Sequence, residues 1–134
     1  MGYEDVKRVT GIGGVFFRSK DPTATNAWYK EHLGVPVGED GNTSFSWRDD
    51  EQPQRRGMTV WAPFAADTDY FGNPSQQCMI NYCVENLDAL LEELQREGVE
   101  IVRQREESEY GKFAWIVDPD GNRVELWEPP PSDN

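Results

Sequence analysis

Few side chains in this sequence could act as thiol nucleophiles or as nitrogen and sulfur ligands of a metal. The chain has one histidine, His32, and two cysteines, Cys78 and Cys83. The cysteines lie five residues apart in a strand-like run, so they point to opposite faces and cannot form a disulfide within it. A cysteine nucleophile needs an activating base, and the sequence places none beside Cys83. We therefore interpret both cysteines as packed thiols and His32 as a helix-surface or helix-packing residue.

Tryptophan is the residue type with the greatest potential for ligand binding, with five copies in 134 residues. Indole rings can line a site for a planar aromatic ligand, or hold a cation over their faces. They can equally pack a core or an interface, and the sequence leaves both interpretations open. It also does not show which face Trp47 and Trp115 take.

The charge balance narrows the classes of partner. With 25 acidic and 13 basic residues the net charge is −12, which argues against nucleic acid and anionic membranes because both attract basic surfaces. An acidic protein can bind a cationic ligand. No run approaches the ~20 apolar residues that span a bilayer. The first ten residues lack the basic-then-apolar order of a secretion signal, so we expect a cytoplasmic protein.

The chain repeats one plan twice. In each half a strand-like run is followed by a helix-capping residue, an amphipathic helix, a glycine that ends the helix, and two tryptophan-containing runs. Corresponding landmarks are 64 to 68 residues apart, and they are Asp21 and Asn86, Gly34 and Gly98, Trp47 and Trp115, and Trp61 and Trp127. Such self-similarity predicts two strand–helix–three-strand units.

The elements of each half can be placed from local signals. Pro22 follows the capping residue Asp21, and the first helix has Ala24, Ala27 and Trp28 on one face. The second helix has an apolar stripe of four leucines, namely Leu87, Leu90, Leu91 and Leu94. Turn sequences at 39–42 and 118–121 predict hairpins. The polar linker over 67–77 carries Tyr70 and Phe71, which are bulky for a spacer.

These features together resemble the vicinal oxygen chelate superfamily, which includes glyoxalase I, extradiol dioxygenases and the fosfomycin- and bleomycin-resistance proteins. The resemblance rests on the paired units, on Trp28-Tyr29 and Leu33-Gly34 at the end of the first helix, and on the closing segment DPDGNRVELW over 118–127. It implies an α+β fold in which two tandem βαβββ units form curved mixed sheets around a cavity, with helices outside. It also implies one domain over 1–134, with units at about 9–63 and 78–130, a linker at about 64–77, and a homodimer.

The resemblance also identifies the positions of the family's metal ligands, which come from the first and last strand of each unit. Carried over to this sequence they are Gly14, Thr59, Met79 and Glu125. A catalytic metal needs about three protein donors and an open position, and only Glu125 is a competent ligand. We therefore predict no cofactor, with a divalent metal as the alternative.

Strand alternation from these positions gives further side chains that we expect to face the cavity. Glu125 could bind a cationic or hydroxyl group of a ligand, act as a general base, or pair with a cavity donor such as Arg18. The predicted ligand-binding residues are Phe16, Arg18, Trp47, Thr59, Trp61, Met79, Asn81, Trp115, Glu125 and Trp127.

The sequence favours a metal-free protein that binds or sequesters a small cationic or aromatic molecule, similar to the bleomycin-resistance branch, and without its own chemistry. One alternative is a divalent-metal-dependent glyoxalase I-like lyase, or a related isomerase or dioxygenase, in which Glu125 would be catalytic. The other is a non-catalytic structural dimer module whose tryptophans fill the cavity.

Overall fold

The computed structural model describes residues 8–48, 53–54 and 56–131. Over these ranges the chain alternates strands and helices in an order that occurs twice, strand–helix–three strands. The elements are β1 (Val9–Ser19), α1 (Pro22–Leu33), β2 (Thr43–Arg48), β3 (Arg56–Ala65), β4 (Cys78–Val84), α2 (Leu87–Arg96), β5 (Ile101–Ser108), β6 (Gly111–Val117) and β7 (Arg123–Glu128). The predicted α+β class is confirmed, and the order is consistent with tandem βαβββ units.

Two compact units divide the chain. One consists of residues 13–80, and the other of the described residues up to Ile12 together with those from Asn81 onward. We call them the first and the second unit, and the division between them falls inside β1 and β4. Among the described residues no helix is long and apolar enough to cross a bilayer.

In the first unit, β3 pairs with β1 in parallel and with β2 in antiparallel orientation. Paired residues share a face, so the register sorts the side chains into two sets. Gly14 is opposite Val60, and Val15 is opposite Trp61. Tyr29 of α1 contacts the Trp61 ring, with centroids 5.0 Å apart. Helix α1 therefore covers the face that carries Trp61, and Gly14 lies on the other face.

In the second unit, β7 pairs with β4 in parallel and with β6 in antiparallel orientation, and β5 pairs with β6. Helix α2 packs its leucine stripe on one face of these strands, as the spacing predicts. The buried cluster consists of Val84, Leu87, Leu90, Leu94, Ala114 and Leu126. Glu125 and its neighbours on the strands lie on the opposite face, away from α2.

Both helix starts form as predicted. The Asp21 side chain accepts a hydrogen bond from the Ala24 amide, and the Asn86 side chain accepts one from the Ala89 amide, each at 3.1 Å. Gly34 ends α1 with φ of +70°, a conformation that L-residues with a side chain rarely adopt. Unlike α2, α1 buries none of its residues, and Trp28 is 53% exposed.

Candidate functional site

The strand register of the second unit brings three polar side chains together. Asn81 of β4 and Trp115 of β6 both pair with Glu125 of β7, one from each side. All three side chains therefore lie on the face away from α2. The predicted alternation of Asn81, Glu125 and Trp127 on one face is confirmed, and the open question about Trp115 is settled because it joins them.

Glu125 accepts a hydrogen bond on each carboxylate oxygen. Asn81 Nδ2 donates to Oε1 at 2.6 Å, and Trp115 Nε1 donates to Oε2 at 3.0 Å. The residues are almost fully enclosed, with 2%, 2% and 1% of Asn81, Glu125 and Trp115 exposed. Charge-assisted bonds of this type stabilise the ionised carboxylate and fix its orientation. The arrangement presents an acidic group at a defined position among apolar rings.

The Asn81 side chain is only half satisfied. Its Oδ1 is buried, and no hydrogen-bond donor among the described residues reaches it. A buried acceptor without a partner costs about 1–3 kcal/mol, and native proteins rarely leave one. Because Oδ1 and Nδ2 belong to one amide group, this acceptor lies directly beside the Glu125 carboxylate.

A ladder of aromatic rings continues from Trp115 along the same face. The Phe113 ring is nearly parallel to Trp115 and to Trp127, with centroids 6.5 Å and 6.0 Å apart. The Arg103 guanidinium lies 4.2 Å from the centroid of the Trp115 ring. Trp127 Nε1 donates to the Tyr110 carbonyl at 2.8 Å, so its polar edge is satisfied. Continued strand alternation from Trp115 would have identified Phe113, but no sequence signal indicated Arg103.

We call Asn81, Phe113, Trp115, Glu125 and Trp127 the Glu125 wall. Cys83 pairs with Trp127 across β4 and β7 and is buried next to this wall. Burial raises the pKa of the Cys83 thiol to about 11, so it stays protonated and unreactive at neutral pH. The packed-thiol prediction is confirmed for Cys83. It is wrong for Cys78, which is exposed, and both cysteines are free.

The first unit does not repeat this arrangement. Thr59 and Trp61 lie on the α1 face, because Val60 and not Thr59 pairs with Gly14. The prediction that Thr59 and Trp61 share a face with Phe16 is therefore wrong. Trp47 pairs with Gly57, which is two residues before Thr59 and so lies on the same face of β3. Trp47 therefore also lies on the α1 face.

The register explains why the sequence comparison of the two halves misplaced these residues. Phe16 stands 65 residues before Asn81, as Asp21 does before Asn86. Phe16 pairs with Ala62, whereas Asn81 pairs with Glu125. The structural counterpart of Glu125 is thus Ala62, three residues after Thr59. An odd shift of this kind moves a side chain to the other face of a strand.

Trp47 and Thr59 form a separate neutral pair. Trp47 Nε1 donates to Thr59 Oγ1 at 2.9 Å, and the indole ring lies across the backbone of Gly57. A Cβ atom on Gly57 would be 2.3 Å from Trp47 Cη2, so only glycine accommodates the ring there. On this geometry the pair has a packing role, and it is separate from the face that carries Phe16.

Arg18 was predicted to contact a ligand, but its guanidinium already has four carbonyl partners in the linker. It donates to Gln76 at 2.8 Å, Ala66 at 2.8 Å, Thr68 at 2.7 Å and Asn73 at 3.2 Å. It also lies 5.1 Å from the ring centroid of Phe71, which is fully buried. Arg18 thus holds the linker in place.

The described side chains do not fit a catalytic metal. His32 lies on the surface of α1, where its Nε2 is 3.3 Å from a Glu31 oxygen. No group of three or more His, Cys, Asp or Glu side chains converges among the described residues. At the Glu125 wall, Glu125 and the Asn81 carbonyl supply two oxygen donors, fewer than the three that such a metal needs.

The remaining predicted site residues are Phe16, which lies on the face away from α1, and Met79. Phe16 packs against Phe64, with ring centroids 5.3 Å apart. Phe64 in turn contacts the linker residues Tyr70 and Phe71, which explains why the linker carries bulky side chains. Met79 is 1% exposed and belongs to the first unit.

Solved structures with the same fold include several enzymes. A methylmalonyl-CoA epimerase variant of Streptomyces coelicolor in complex with 2-nitronate-propionyl-CoA has 14% identity and a TM-score of 0.66, covering 92% of this chain and 99% of that one. The methylmalonyl-CoA epimerase of Mycobacterium tuberculosis has 19% identity and a TM-score of 0.60, covering 93% and 91%. At these identities the likeness shows the fold alone.

A Mn(II)-bound glyoxalase from Novosphingobium aromaticivorans shares 22% identity with a TM-score of 0.57, covering 92% of this chain and 40% of the glyoxalase chain. A search of curated proteins gave no match. The family model of the Glyoxalase/Bleomycin resistance protein/Dioxygenase superfamily matches residues 11–126. The match spans most of the sequence and agrees with the two βαβββ units, and the chain belongs to this superfamily.

Proposed function

We propose that this protein binds a small organic molecule at the Glu125 wall without the help of a metal ion. The observation that carries the proposal is the buried Asn81 carbonyl oxygen beside the Glu125 carboxylate, which no donor among the described residues reaches. A ligand with a hydrogen-bond donor satisfies this acceptor and removes the cost of leaving it unpaired.

The chemistry of the wall supports a cationic or aromatic ligand. Phe113 and Trp127 stack with their ring planes 6° apart, a geometry that continues onto an aromatic ligand. The carboxylate attracts a positive charge, and the net charge of −12 raises the local concentration of cations. Arg103 over Trp115 shows that this ring surface already accepts a cation.

The metal-free part of the proposal rests on the donor set. Of the four positions identified from the family, three hold Gly14, Thr59 and Met79, and the register replaces Thr59 by Ala62. None of these side chains is a competent ligand for a hard divalent ion. Both oxygens of Glu125 also accept hydrogen bonds from protein donors, which hold the carboxylate in one orientation.

A lyase or isomerase remains the second candidate, and Glu125 is the observation that favours it. A carboxylate oriented by two N–H donors can act as a general base toward a bound substrate. Under this alternative a substitution of Glu125 abolishes turnover, whereas under binding alone it changes only affinity.

The test is a screen of small molecules by quenching of tryptophan fluorescence and by shifts of the melting temperature. Glu125→Gln should weaken binding of a hit at least tenfold. Thr59→Val is the control and should not weaken binding, because Thr59 accepts a hydrogen bond from Trp47 within the first unit. Calorimetric titration with Ni²⁺, Zn²⁺, Mn²⁺ and Fe²⁺ should give no heat of binding. One metal bound per chain at micromolar affinity would overturn the metal-free proposal, and turnover of a hit would favour the enzyme.

We further propose a cytoplasmic homodimer. The resemblance supports the dimer, and the net charge of −12 disfavours nucleic acid and anionic membranes as partners. Light scattering at several protein concentrations tests the dimer. If the ligand site needs the dimer, dilution should weaken ligand binding in parallel with dissociation.

A further inference from the structure

We infer that the ligand carries a protonated nitrogen with at least one N–H group, as in an ammonium or amidinium ion, which donates to Asn81 Oδ1 beside the charge of Glu125. This inference rests on the proposed function and specifies the ligand's chemical class. Two properties of the site lead to it. One is that the unpaired Asn81 Oδ1, which we call the orphan atom, is an acceptor, and the other is the charge of the neighbouring Glu125.

The orphan atom requires a donor. The orientation of the Asn81 amide is fixed because Nδ2 donates to Glu125 Oε1 at 2.6 Å. An ionised carboxylate only accepts, so a flipped amide would set two acceptors against each other. Oδ1 must therefore be the atom left over, and it is an acceptor with no partner among the described residues. A ligand atom that pairs with it carries an N–H or O–H group.

The neighbouring charge selects a cation among donors. The buried Glu125 carboxylate accepts hydrogen bonds from two neutral groups, the Asn81 amide and the Trp115 indole. A ligand cation that donates a hydrogen bond to Asn81 Oδ1 lies close to the Glu125 carboxylate, because the Nδ2 of the same amide bonds that carboxylate. The separation is within the ~4–6 Å over which opposite charges interact strongly in a protein. A neutral hydroxyl would satisfy the orphan atom but would gain nothing from the carboxylate. A quaternary ammonium would gain from the charge but has no hydrogen to donate.

Three probes of similar size separate these contributions. Benzylammonium has both a charge and N–H groups, benzyltrimethylammonium has only the charge, and benzyl alcohol has only the donor. Each has a phenyl ring that suits the aromatic ladder. Fragments of about eight to eleven heavy atoms bind weakly, so we expect a millimolar dissociation constant for benzylammonium and values at least tenfold higher for the other two.

Two substitutions assign the contributions to atoms. Asn81→Leu should bring benzylammonium within threefold of benzyltrimethylammonium, and Glu125→Gln should bring it within threefold of benzyl alcohol. Asn26→Leu is the matched control, because Asn26 also has an unpaired buried Oδ1 but its amide donates to the Gly41 carbonyl at 2.9 Å rather than to a carboxylate. The control should leave all three affinities unchanged. Melting curves establish whether each variant is folded. If a variant does not fold, the three probes on the unmodified protein still test the inference.

The outcomes separate this inference from the proposed function. Equal affinity for the three probes overturns the inference, as does a screening hit that depends on Glu125 but has no cationic N–H group, and both leave the proposed function standing. If neither the probes nor any molecule in the screen binds, both fail. A tenfold preference for benzylammonium that Asn81→Leu removes and Asn26→Leu preserves supports both.

Discussion

The two repeat units use the same tryptophan hydrogen bond for different purposes. In the first unit, Trp47 donates to the neutral hydroxyl of Thr59 at 2.9 Å on the face covered by α1. In the second, Trp115 donates to the charged carboxylate of Glu125 at 3.0 Å on the face away from α2. The donor chemistry is shared, but among the described residues it is the second unit that places an acidic group and an unpaired acceptor on the face away from its helix.

The helices of the two units also differ, in how deeply each is buried against its strands. Helix α2 buries Leu87, Leu90 and Leu94 against the strands beneath it, so the second unit has a conventional core on its helix side. Helix α1 buries no residue and rests on ring contacts, such as those of Tyr29 with Phe17 and Trp61. A unit with a solid core on one face can carry polar groups on the other without losing its fold. This difference makes the second unit the better scaffold for a site.

The contrast between the helices predicts the largest effect on stability. Leu90→Ala should lower the free energy of unfolding by about 3 kcal/mol, because a buried leucine that becomes alanine leaves a cavity. Leu33→Ala at the end of α1 should change it by less than about 0.5 kcal/mol, because Leu33 is 64% exposed. Urea denaturation of the two variants measures both values. Equal losses would show that α1 is packed more tightly than its exposure indicates.

Arg18 provides the second test, because its guanidinium bonds the linker of the first unit to β1. Arg18→Met keeps the apolar stem but leaves four carbonyl groups without their charged donor. We expect a loss of about 2–3 kcal/mol, since hydrogen bonds to charged groups are strong and some of these carbonyls are partly buried. Arg48→Met is the control, as the hydrogen bond of Arg48 to a described residue is an exposed one, to the Pro53 carbonyl. Limited proteolysis should cut the Arg18 variant within 66–77, and an uncut linker would contradict the assigned role.

The elements of both units were predictable from the sequence because their signals are local. The caps Asp21 and Asn86, the terminating Gly34, and the leucine stripe of α2 each depend on neighbouring residues only. The face of Glu125 was predictable for the same reason, since alternation within β4 and β7 fixes it. The structure confirms these positions in the fold, and the role of Glu125 in a site stays a prediction.

Register between strands was not predictable, and the misplacement of Thr59 and Trp61 depends on it. Trp61 and Trp127 are 66 residues apart and look equivalent, but the pairing makes Phe64 the counterpart of Trp127, since Arg18 pairs with Phe64 and Cys83 with Trp127. The register of β3 is thus shifted by three residues from the one that the sequence repeat suggests. Composition does not reveal such a shift, and an odd shift moves a side chain to the other face of the strand. The carbonyl partners of Arg18 were equally hidden, because they come from backbone atoms of the linker and have no residue signature.

The paired tryptophans allow the comparison between the units to be tested with one substitution made twice. Trp115→Phe leaves an oxygen of the buried Glu125 without its indole donor, and we expect a loss of about 2–3 kcal/mol. Trp47→Phe breaks a neutral bond at a half-buried position and should cost about 1 kcal/mol. Trp115→Phe should also reduce ligand binding, whereas Trp47→Phe should not. If the two variants are equally stable and bind equally, the second unit has no special site.

The smallest expected effect concerns Cys83, whose thiol pKa burial raises from 9.0 to about 11. Between these values the unfolded chain releases the thiol proton while the folded chain keeps it. The unfolded state then binds fewer protons, so the free energy of unfolding falls as the pH rises through this range. Between pH 8 and pH 10 the Cys83 contribution amounts to about 1 kcal/mol of lost stability.

Comparison of variants isolates this contribution, because lysines and tyrosines also titrate at alkaline pH. Cys83→Ala lowers stability at both pH values by removing packed atoms, but it should reduce the loss between pH 8 and pH 10 by about 1 kcal/mol. Cys78→Ala, at the exposed cysteine, should leave the loss unchanged. Ligand bound at the Glu125 wall should raise the denaturant concentration at the midpoint of unfolding at both pH values. If Cys83→Ala and the unmodified protein lose equal stability, Cys83 is accessible to water, and the wall next to it is more open than its burial indicates.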